Sequence, residues 1–172
     1  MDIVLCDASP DDRAGMLGIF NHYVSNSFAT YTDEPVGLER FESLMSFASG
    51  WPAVTAKRGD GKLAGFGLLR PYSTIPSFCG TSELSCFIAP EFTGMGIGAA
   101  ILDRLEAGAR SMGLSTIVAT VSSLNDGSIR FHSSHGYIEC GRLREVGIRQ
   151  GMPFDVVFLQ KTLQAAFLTK PT

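Results

Sequence analysis

Apolar and polar positions along the chain follow two spacings, and each spacing predicts one kind of element. Short runs rich in apolar and β-branched residues, several of them alternating with polar residues, predict strands. They cover residues 3–6, 53–57, 62–69, 83–88, 115–121, 137–143 and 154–161. Apolar residues three and four positions apart predict helices over 9–24, 38–48 and 97–112, and a shorter helix between 125 and 136.

Each long predicted helix has an apolar face that should turn toward the core. In the first helix, which Ser9 and Pro10 begin as N-cap and first helical residue, the face is Leu17, Phe20 and Val24. In the second it is Phe41, Leu44, Met45 and Ala48, and in the third it is Ile97, Ile101, Leu105, Ala109 and Met112. Because the third helix joins strands 83–88 and 115–121, those two strands should be parallel.

These elements predict one α/β domain over residues 1–172, with a core at 2–163 and a mobile C-terminal tail. The sheet is expected to be mixed and mostly antiparallel, with helices flanking it and one parallel strand pair. A chain of 172 residues is long enough for one sizeable core and too short for two comfortable domains.

Charge and composition exclude several classes of protein. The net charge is −3 and no block of Lys or Arg occurs, so we expect no nucleic-acid partner. No apolar run reaches about 18 residues and no signal sequence is visible, so we expect no membrane span. The four cysteines show no C-x-x-C pairing, which favours reduced thiols in a cytoplasmic protein.

A glycine-rich loop connects strand 83–88 to the helix at 97–112. Gly94, Gly96 and Gly98 let a ligand approach the backbone N–H groups closely. A helix N-terminus behind such a loop is an anion site, most often for phosphate. Three interpretations compete: a tight turn before a core helix, a dinucleotide fingerprint, and an acyl-CoA pyrophosphate loop. The second lacks the acidic residue expected about 20 positions on, and no Gly-Lys-Ser/Thr follows for a Walker A loop.

The third interpretation is supported by a family resemblance. Thr93-Gly94-Met95-Gly96-Ile97-Gly98 resembles the Q/R-x-x-G-x-G/A signature of the GNAT superfamily of N-acetyltransferases. The spacing of that superfamily's second half is kept by Asn125, Ser128, His132 and Gly136-Tyr137. With residues 20–24, 81–83 and 146–151 added, the chain resembles the phosphinothricin/methionine-sulfoximine N-acetyltransferase branch over residues 2–163. The resemblance implies a GNAT fold, acetyl-CoA as acyl donor, a small-molecule amine as acceptor and a homodimer.

Two residues are candidates for proton transfer. Glu83 is the candidate base, because a carboxylate is unusual in an apolar strand and partial burial would favour proton uptake. A solvated strand-end glutamate is the alternative, and resemblance to the branch's Thr-x-Glu favours catalysis. The resemblance gives His132 the place of a general acid that donates to the thiolate or binds the sulfur, although it could also be a surface histidine. With no clustered Cys or carboxylate near His132 and His135, we expect no metal.

The resemblance also assigns the cofactor contacts. Residues 93–98 would hold the pyrophosphate through backbone N–H groups, and Asn125 would both cap its helix and bind the pantetheine arm. A backbone amide near Phe87 and Ile88 would polarise the thioester carbonyl. Thr93 replaces the usual Gln or Arg, which predicts a lower affinity for CoA.

Candidate acceptor contacts lie in three loops or strand ends. Phe28 and Tyr31 belong to an aromatic loop that is either a substrate wall or a cap on the core. Tyr72 and Phe78 flank residues 73–77, where family members commonly have basic residues for the substrate's carboxylate and this chain has none. Arg70 and Arg149 are the remaining cations that could take that role.

We therefore expect an acetyl-CoA-dependent N-acetyltransferase acting on a small amine, such as an amino acid, phosphinothricin or methionine sulfone/sulfoximine. The amine would attack the thioester directly, with Glu83 as base. Two alternatives stay open: an enzyme of the same fold that acetylates a protein N-terminus or lysine, and a non-catalytic CoA-binding module.

Overall fold

The computed structural model describes residues 2–163, in which seven strands form a single sheet flanked by four α-helices. The strands are β1 (Ile3–Asp7), β2 (Ala53–Arg58), β3 (Leu63–Pro71), β4 (Thr81–Ile88), β5 (Thr116–Ser122), β6 (Ile138–Arg149) and β7 (Met152–Thr162). The helices are α1 (Arg13–Asn26), α2 (Leu38–Ser46), α3 (Ile97–Ser111) and α4 (Asp126–Ser134). The predicted mobile tail lies outside the described residues. No helix among them is long and apolar enough to cross a membrane.

The strand order is β1-β2-β3-β4-β5-β7-β6, and every neighbouring pair is antiparallel except β4 and β5. These two strands are parallel because α3 carries the chain back from the end of one to the start of the other. The mixed, mostly antiparallel sheet with one parallel pair is therefore confirmed.

The parallel pair is short, and this creates the opening in which the site lies. Its pairing runs only from Thr81–Thr116 to Glu83–Val118. Beyond that point β4 stays with β3 as far as Ile88, whereas β5 stays with β7 as far as Ser122. The two strands thus diverge, and N–H groups of residues 84–88 on the edge facing β5 have no strand partner there. We call this opening the wedge.

A glycine in β3 allows α3 to lie close against one face of the sheet. A Cβ atom at Gly67 would come within 2.6 Å of Ile101 and 2.9 Å of Leu105, both in α3. The neighbouring Phe66 points to the opposite face, where its ring packs edge-on against Phe41 of α2, 6.5 Å between centroids. Helices therefore cover both faces of the sheet, and the core lies on each side of β3.

The predicted helix faces are partly wrong. In α1 the fully buried residues are Met16, Ile19 and Val24, whereas Leu17 and Phe20 are half-buried. The reason is that the helix begins at Arg13, after a 3-10 turn over Pro10–Asp12, so the core-facing stripe is displaced. In α3, which ends at Ser111, Met112 is 45% exposed, and Leu102 and Glu106 are buried instead.

The last two strands form one long hairpin rather than the two shorter strands predicted at 137–143 and 154–161. Gln150 and Gly151 make the turn with φ of +50° and +76°, and two consecutive positive values are typical of a tight two-residue hairpin. Gly147 lies inside β6. A Cβ atom there would overlap the ring of Phe154, so glycine permits the close approach of the two strands.

Candidate active site

Two cavities meet in the wedge between β4 and β5. The Glu83 cavity has a volume of about 460 Å³ and is enclosed by α2, the loop before it, β4 and β5. The glycine-loop cavity has a volume of about 530 Å³ and lies between the end of β4, the start of α3 and α4. Both are lined by Ala29, Cys86, Phe87, Asn125, Ser128 and His132. A molecule that fills both would therefore pass through the wedge.

The glycine-loop cavity has the form expected for a phosphate-bearing ligand. Gly94 and Gly96 have φ of +75° and +79°, which side chains rarely adopt, and a Cβ atom at either position would meet nothing within 4 Å. The backbone is therefore open to a ligand there. The 15-residue helix α3 begins at Ile97, so its first N–H groups and its dipole favour an anion at this point.

Most of the predicted cofactor residues lie around this cavity. They are Phe87, Ile88, Thr93, Gly94, Gly96, Ile97, Gly98 and Asn125. Met95 does not line it, and its side chain is exposed to solvent. The hydroxyl of Thr93 donates to the carbonyl of Pro90 at 2.9 Å, so this side chain is already used within the loop.

Two hydrogen bonds fix the walls of the glycine-loop cavity. The side chain of Asn125 accepts from the N–H of Ser128 at 3.2 Å, so Asn125 caps α4 as its sequence position predicted. The hydroxyl of Tyr23 donates to the carbonyl of Ile88 at 2.6 Å. Sequence reasoning did not select Tyr23, since the hydrogen bond joins α1 to β4 across 65 residues.

Glu83 lines the other cavity and is held by two residues, Arg70 and Thr120. Its Oε2 accepts from Arg70, at 2.9 Å from Nη2 and 3.1 Å from Nε. Its Oε1 accepts from the hydroxyl of Thr120 at 3.0 Å. Arg70 is directly opposite Glu83 in the β3–β4 register, which explains the pairing. With 19% of its side chain exposed, Glu83 is an oriented carboxylate that a solute in the cavity can reach.

His132 is buried and lines both cavities. Its Nδ1 lies 2.8 Å from the carbonyl oxygen of Ser128, and because a carbonyl only accepts, Nδ1 carries the proton. Burial lowers the pKa of His132 from its ordinary value of 6.5, against the opposing effect of that hydrogen bond. The imidazole is therefore neutral at pH 7, with the lone pair of Nε2 available as an acceptor.

The predicted acceptor residues separate into two groups. Tyr31 and Arg70 line the Glu83 cavity, whereas Phe28, Tyr72, Phe78 and Arg149 do not. The rings of Tyr72 and Phe78 pack on each other at 5.8 Å and are exposed. Tyr31 stacks on Phe154 at 5.6 Å, so the tip of the β6–β7 hairpin supports this wall of the cavity.

Arg149 is a buried structural residue in this fold. Its guanidinium donates to the carbonyl groups of Val24 and Thr30 and lies 5.8 Å from the ring of Phe28. Its Nε is 3.5 Å from a carboxylate oxygen of Asp33. Arg149 thus ties the loop before α2 to the hairpin, and its charge is directed at protein groups rather than into the cavity.

Several cavity residues were not found by sequence reasoning. They are Thr120, beside Glu83, and Val36, Arg40 and Leu44, which follow one another at intervals of four. That interval places Arg40 and Leu44 on one side of α2, whereas Val36 lies in the loop before the helix. Of these three residues, Leu44 alone had been assigned, to the predicted core face of the second helix. Leu44 is instead 40% exposed because it borders the cavity.

No metal centre accompanies this site in the part of the chain that the structure describes. There, no three or more His, Cys, Asp or Glu side chains are grouped so that they could hold an ion. Cys6, Cys79, Cys86 and Cys140 are all free thiols.

A splayed parallel strand pair beside a glycine loop, with a reachable carboxylate in the adjoining cavity, defines the class of an acyl-CoA-dependent transferase. Residues 16–137 match the family model described as Acetyltransferase (GNAT) family. The chain belongs to this family. It is an acetyl-CoA-dependent N-acetyltransferase.

Similar proteins cover nearly the whole chain. The chain is 30% identical over 165 residues to the L-methionine sulfoximine/L-methionine sulfone acetyltransferase of Pseudomonas aeruginosa, and the aligned region covers 95% of this chain and 96% of the relative. The phosphinothricin acetyltransferase from Sinorhizobium meliloti, solved with acetyl-CoA, superposes with a TM-score of 0.91 at 27% identity over 100% of this chain and 94% of the other. A ribosomal-protein-alanine N-acetyltransferase from Brucella melitensis gives a TM-score of 0.86 at 31% identity, over 93% and 99% of the two chains.

Proposed function

We propose that this enzyme transfers the acetyl group of acetyl-CoA to the amine of a small molecule, an amino acid or an analogue such as methionine sulfone, methionine sulfoximine or phosphinothricin. The observation that carries the proposal is the continuity of the two cavities. The anion-binding glycine loop and the reachable carboxylate of Glu83 open into one wedge with six shared lining residues. The names of the relatives support the same class of acceptor.

In this proposal Glu83 receives the proton of the acceptor. At neutral pH the amine arrives as an ammonium ion, and only the free amine can attack the thioester. Transfer of one proton to Glu83 frees the nitrogen lone pair, the nitrogen–carbon bond forms, and the thioester carbon–sulfur bond breaks. The second proton lost by the nitrogen passes to the departing thiolate, so the products are the amide and CoA thiol, and Glu83 returns its proton to solvent. Arg70 and Thr120 hold the carboxylate in one orientation while this occurs.

Residues of the wedge act on the other side of the reaction. Bound acetyl-CoA supplies the thioester carbonyl, and N–H groups of β4 near Phe87 and Ile88, which lack a β5 partner, would polarise it. His132 offers Nε2 as an acceptor, so at neutral pH it suits a hydrogen bond from a thiol better than proton donation to a thiolate. The structure thus supports the sulfur-binding form of the role expected for His132.

Direct attack is favoured over an acetylated enzyme. Cys86 is the thiol that lines both cavities, and it would be the nucleophile for a covalent route. Removal from water raises the pKa of the Cys86 thiol to about 12, so it stays protonated and unreactive at pH 7. Cys86→Ala should therefore retain activity.

Release of CoA thiol from acetyl-CoA tests the proposal. The acceptors are L-amino acids, L-methionine sulfone, phosphinothricin and polyamines, with the acetylated product identified by mass. We expect turnover with at least one carboxylated small amine. Absence of turnover with every small amine, despite measurable binding of acetyl-CoA, would contradict it.

Acetylation of a protein N-terminus is a second candidate, favoured by the likeness to the ribosomal-protein-alanine N-acetyltransferase. The Glu83 cavity is a restricted space of about 460 Å³, whose wall at Tyr31 is backed by Phe154. This suits a small acceptor better than an extended peptide. Peptides that begin with alanine distinguish the two, because faster turnover of such a peptide than of any free amino acid would favour the second candidate.

The enzyme is further proposed to act as a cytoplasmic homodimer. β6 is an edge strand, and it exposes Ile138 and Ile148 at 73% and 72%, together with Leu143 and Val146. A long apolar edge is a template for pairing, and a second copy of the chain would cover it. The reduced state of four free thiols is in keeping with the cytoplasm.

A further inference from the structure

One cation that lines the Glu83 cavity is not used by the protein itself. Arg40 of α2 lies in the wall of this cavity between Val36 and Leu44, each four residues away. Its side chain is exposed, and within residues 2–163 it forms no hydrogen bond or ion pair. Arg40 therefore presents a guanidinium to whatever occupies the cavity, whose lining also includes the apolar side chains of Val36 and Leu44.

The other two arginines near the acceptor cavity are committed. Arg70 directs Nε and Nη2 at the carboxylate of Glu83. Arg149 is buried, and its donors serve the carbonyl groups of Val24 and Thr30. At Arg70 a carboxylate on the acceptor would meet a guanidinium already paired with Glu83, and at Arg149 it would have to break hydrogen bonds to buried carbonyl groups, whereas Arg40 can bind it without either cost.

We propose that Arg40 is the residue that binds the carboxylate of the acceptor, and that acceptors with both an ammonium and a carboxylate are preferred over amines that lack the carboxylate. The inference rests on the proposed function, since it concerns the acceptor of that reaction. Glu83 and Arg40 belong to different walls of one cavity, so they complement the ammonium and the carboxylate of one molecule. Val36 and Leu44 offer apolar surface to the side chain between them.

Matched pairs of acceptors test this assignment. Each pair is an amino acid and the amine that lacks only its carboxylate: L-methionine sulfone with 3-(methylsulfonyl)propylamine, and L-phenylalanine with phenethylamine. The ratio of kcat/KM for acid over amine is measured for the wild type and for Arg40→Gln, Arg40→Lys and Arg104→Gln. Arg104 is the control, because it is an arginine outside both cavities that pairs with Asp7 on the surface.

We expect Arg40→Gln to lower the ratio by about tenfold or more, through KM for the acid, because a charge-assisted hydrogen bond is lost. Arg40→Lys should restore part of the ratio, and Arg104→Gln should not change it. A general folding defect lowers kcat/KM for the acid and for the amine alike, so it cannot by itself produce the expected fall in the ratio.

Two results would overturn the assignment. One is a ratio in Arg40→Gln equal to that of the wild type. The other is that the wild type acetylates the amines but none of the carboxylated acceptors. In that case the proposed N-acetyltransferase activity would still hold, and only the role of Arg40 would be refuted. Failure of the proposed function is a different result, in which neither the acids nor the amines are acetylated although acetyl-CoA binds.

Discussion

Replacing Glu83 by glutamine removes the proposed base while keeping the shape of its side chain. The carboxylate now accepts from Arg70 at one oxygen and from Thr120 at the other. In Glu83→Gln the amide oxygen can still accept from Arg70 while the amide NH2 donates to the hydroxyl of Thr120, so the ion pair is what the variant loses. Because both members of the ion pair are partly exposed to solvent, we expect a loss in stability of about 1 kcal/mol or less. That is small beside the ~5–15 kcal/mol of a typical domain, so the variant should fold.

The effect on rate should be much larger than the effect on stability. A positioned general base contributes about 10²–10⁴-fold, which corresponds to ~2.7–5.4 kcal/mol in the activation barrier. We expect kcat/KM at pH 7 to fall within this range. The deficit should shrink as pH rises toward the pKa of the acceptor's own amine, because solution then supplies the free amine.

The assay is thiol release from acetyl-CoA across a range of pH, with L-methionine sulfone or the best acceptor found. Glu139→Gln is the matched control, since Glu139 is also a strand glutamate paired with an arginine, Arg142 at 2.9 Å, but it lines neither cavity. A fully active Glu83→Gln enzyme with an unchanged pH profile would show that Glu83 is structural and that the base lies elsewhere.

Three further predictions concern the cofactor, pH and association. Gly96→Val should weaken acetyl-CoA binding by well over tenfold (more than ~1.4 kcal/mol), because a branched side chain at φ +79° would project into the open cavity; an unchanged affinity by calorimetry would refute this. Burial lowers the pKa of His132 from 6.5, so the unfolded chain binds its proton first and the free energy of unfolding should fall as pH drops below 6.5. His132→Gln should abolish this pH-dependent part of the free energy of unfolding, measured by urea titrations at pH 5 and 7.5. Ile148→Glu should reduce the mass seen by light scattering from dimer to monomer, and a monomeric wild type at micromolar concentration would contradict the dimer.

Features that depend on a few neighbouring residues could be predicted from the sequence. All seven strands were located, because alternation and punctuation by glycine and proline are local. The glycine loop and the Asn125 cap were found for the same reason, since each needs only a short segment. Element ends were less accurate: β6 continues to Arg149, because a turn with positive φ at Gln150 and Gly151 closes the hairpin there.

The allocation of charges could not be predicted, because it depends on pairs that are distant in sequence. Arg70 and Glu83 are 13 residues apart and become neighbours only through the β3–β4 register. Arg149, the buried arginine of β6, donates to the carbonyl of Val24, which is 125 residues away in the sequence. Arg70 and Arg149 had both been candidates to bind the substrate's carboxylate, because a sequence shows which cations exist but not which acceptors the fold places beside them.

That allocation also bears on the loop between β3 and β4, where residues 73–77 include no basic residue. Residues 73–77 extend from an exposed segment where Tyr72 and Phe78 pack together outside the Glu83 cavity, and Ile75 is itself exposed. Because residues 73–77 do not line the Glu83 cavity, their lack of a basic side chain removes no positive charge from its wall. The charge available to a carboxylate comes from α2, through Arg40, while the charge available to an ammonium comes from β4, through Glu83. Arg40 and Glu83 belong to separate elements. Replacing Arg40 should therefore change the preference for acids without changing proton transfer to Glu83, and the matched acceptor pairs would detect that difference.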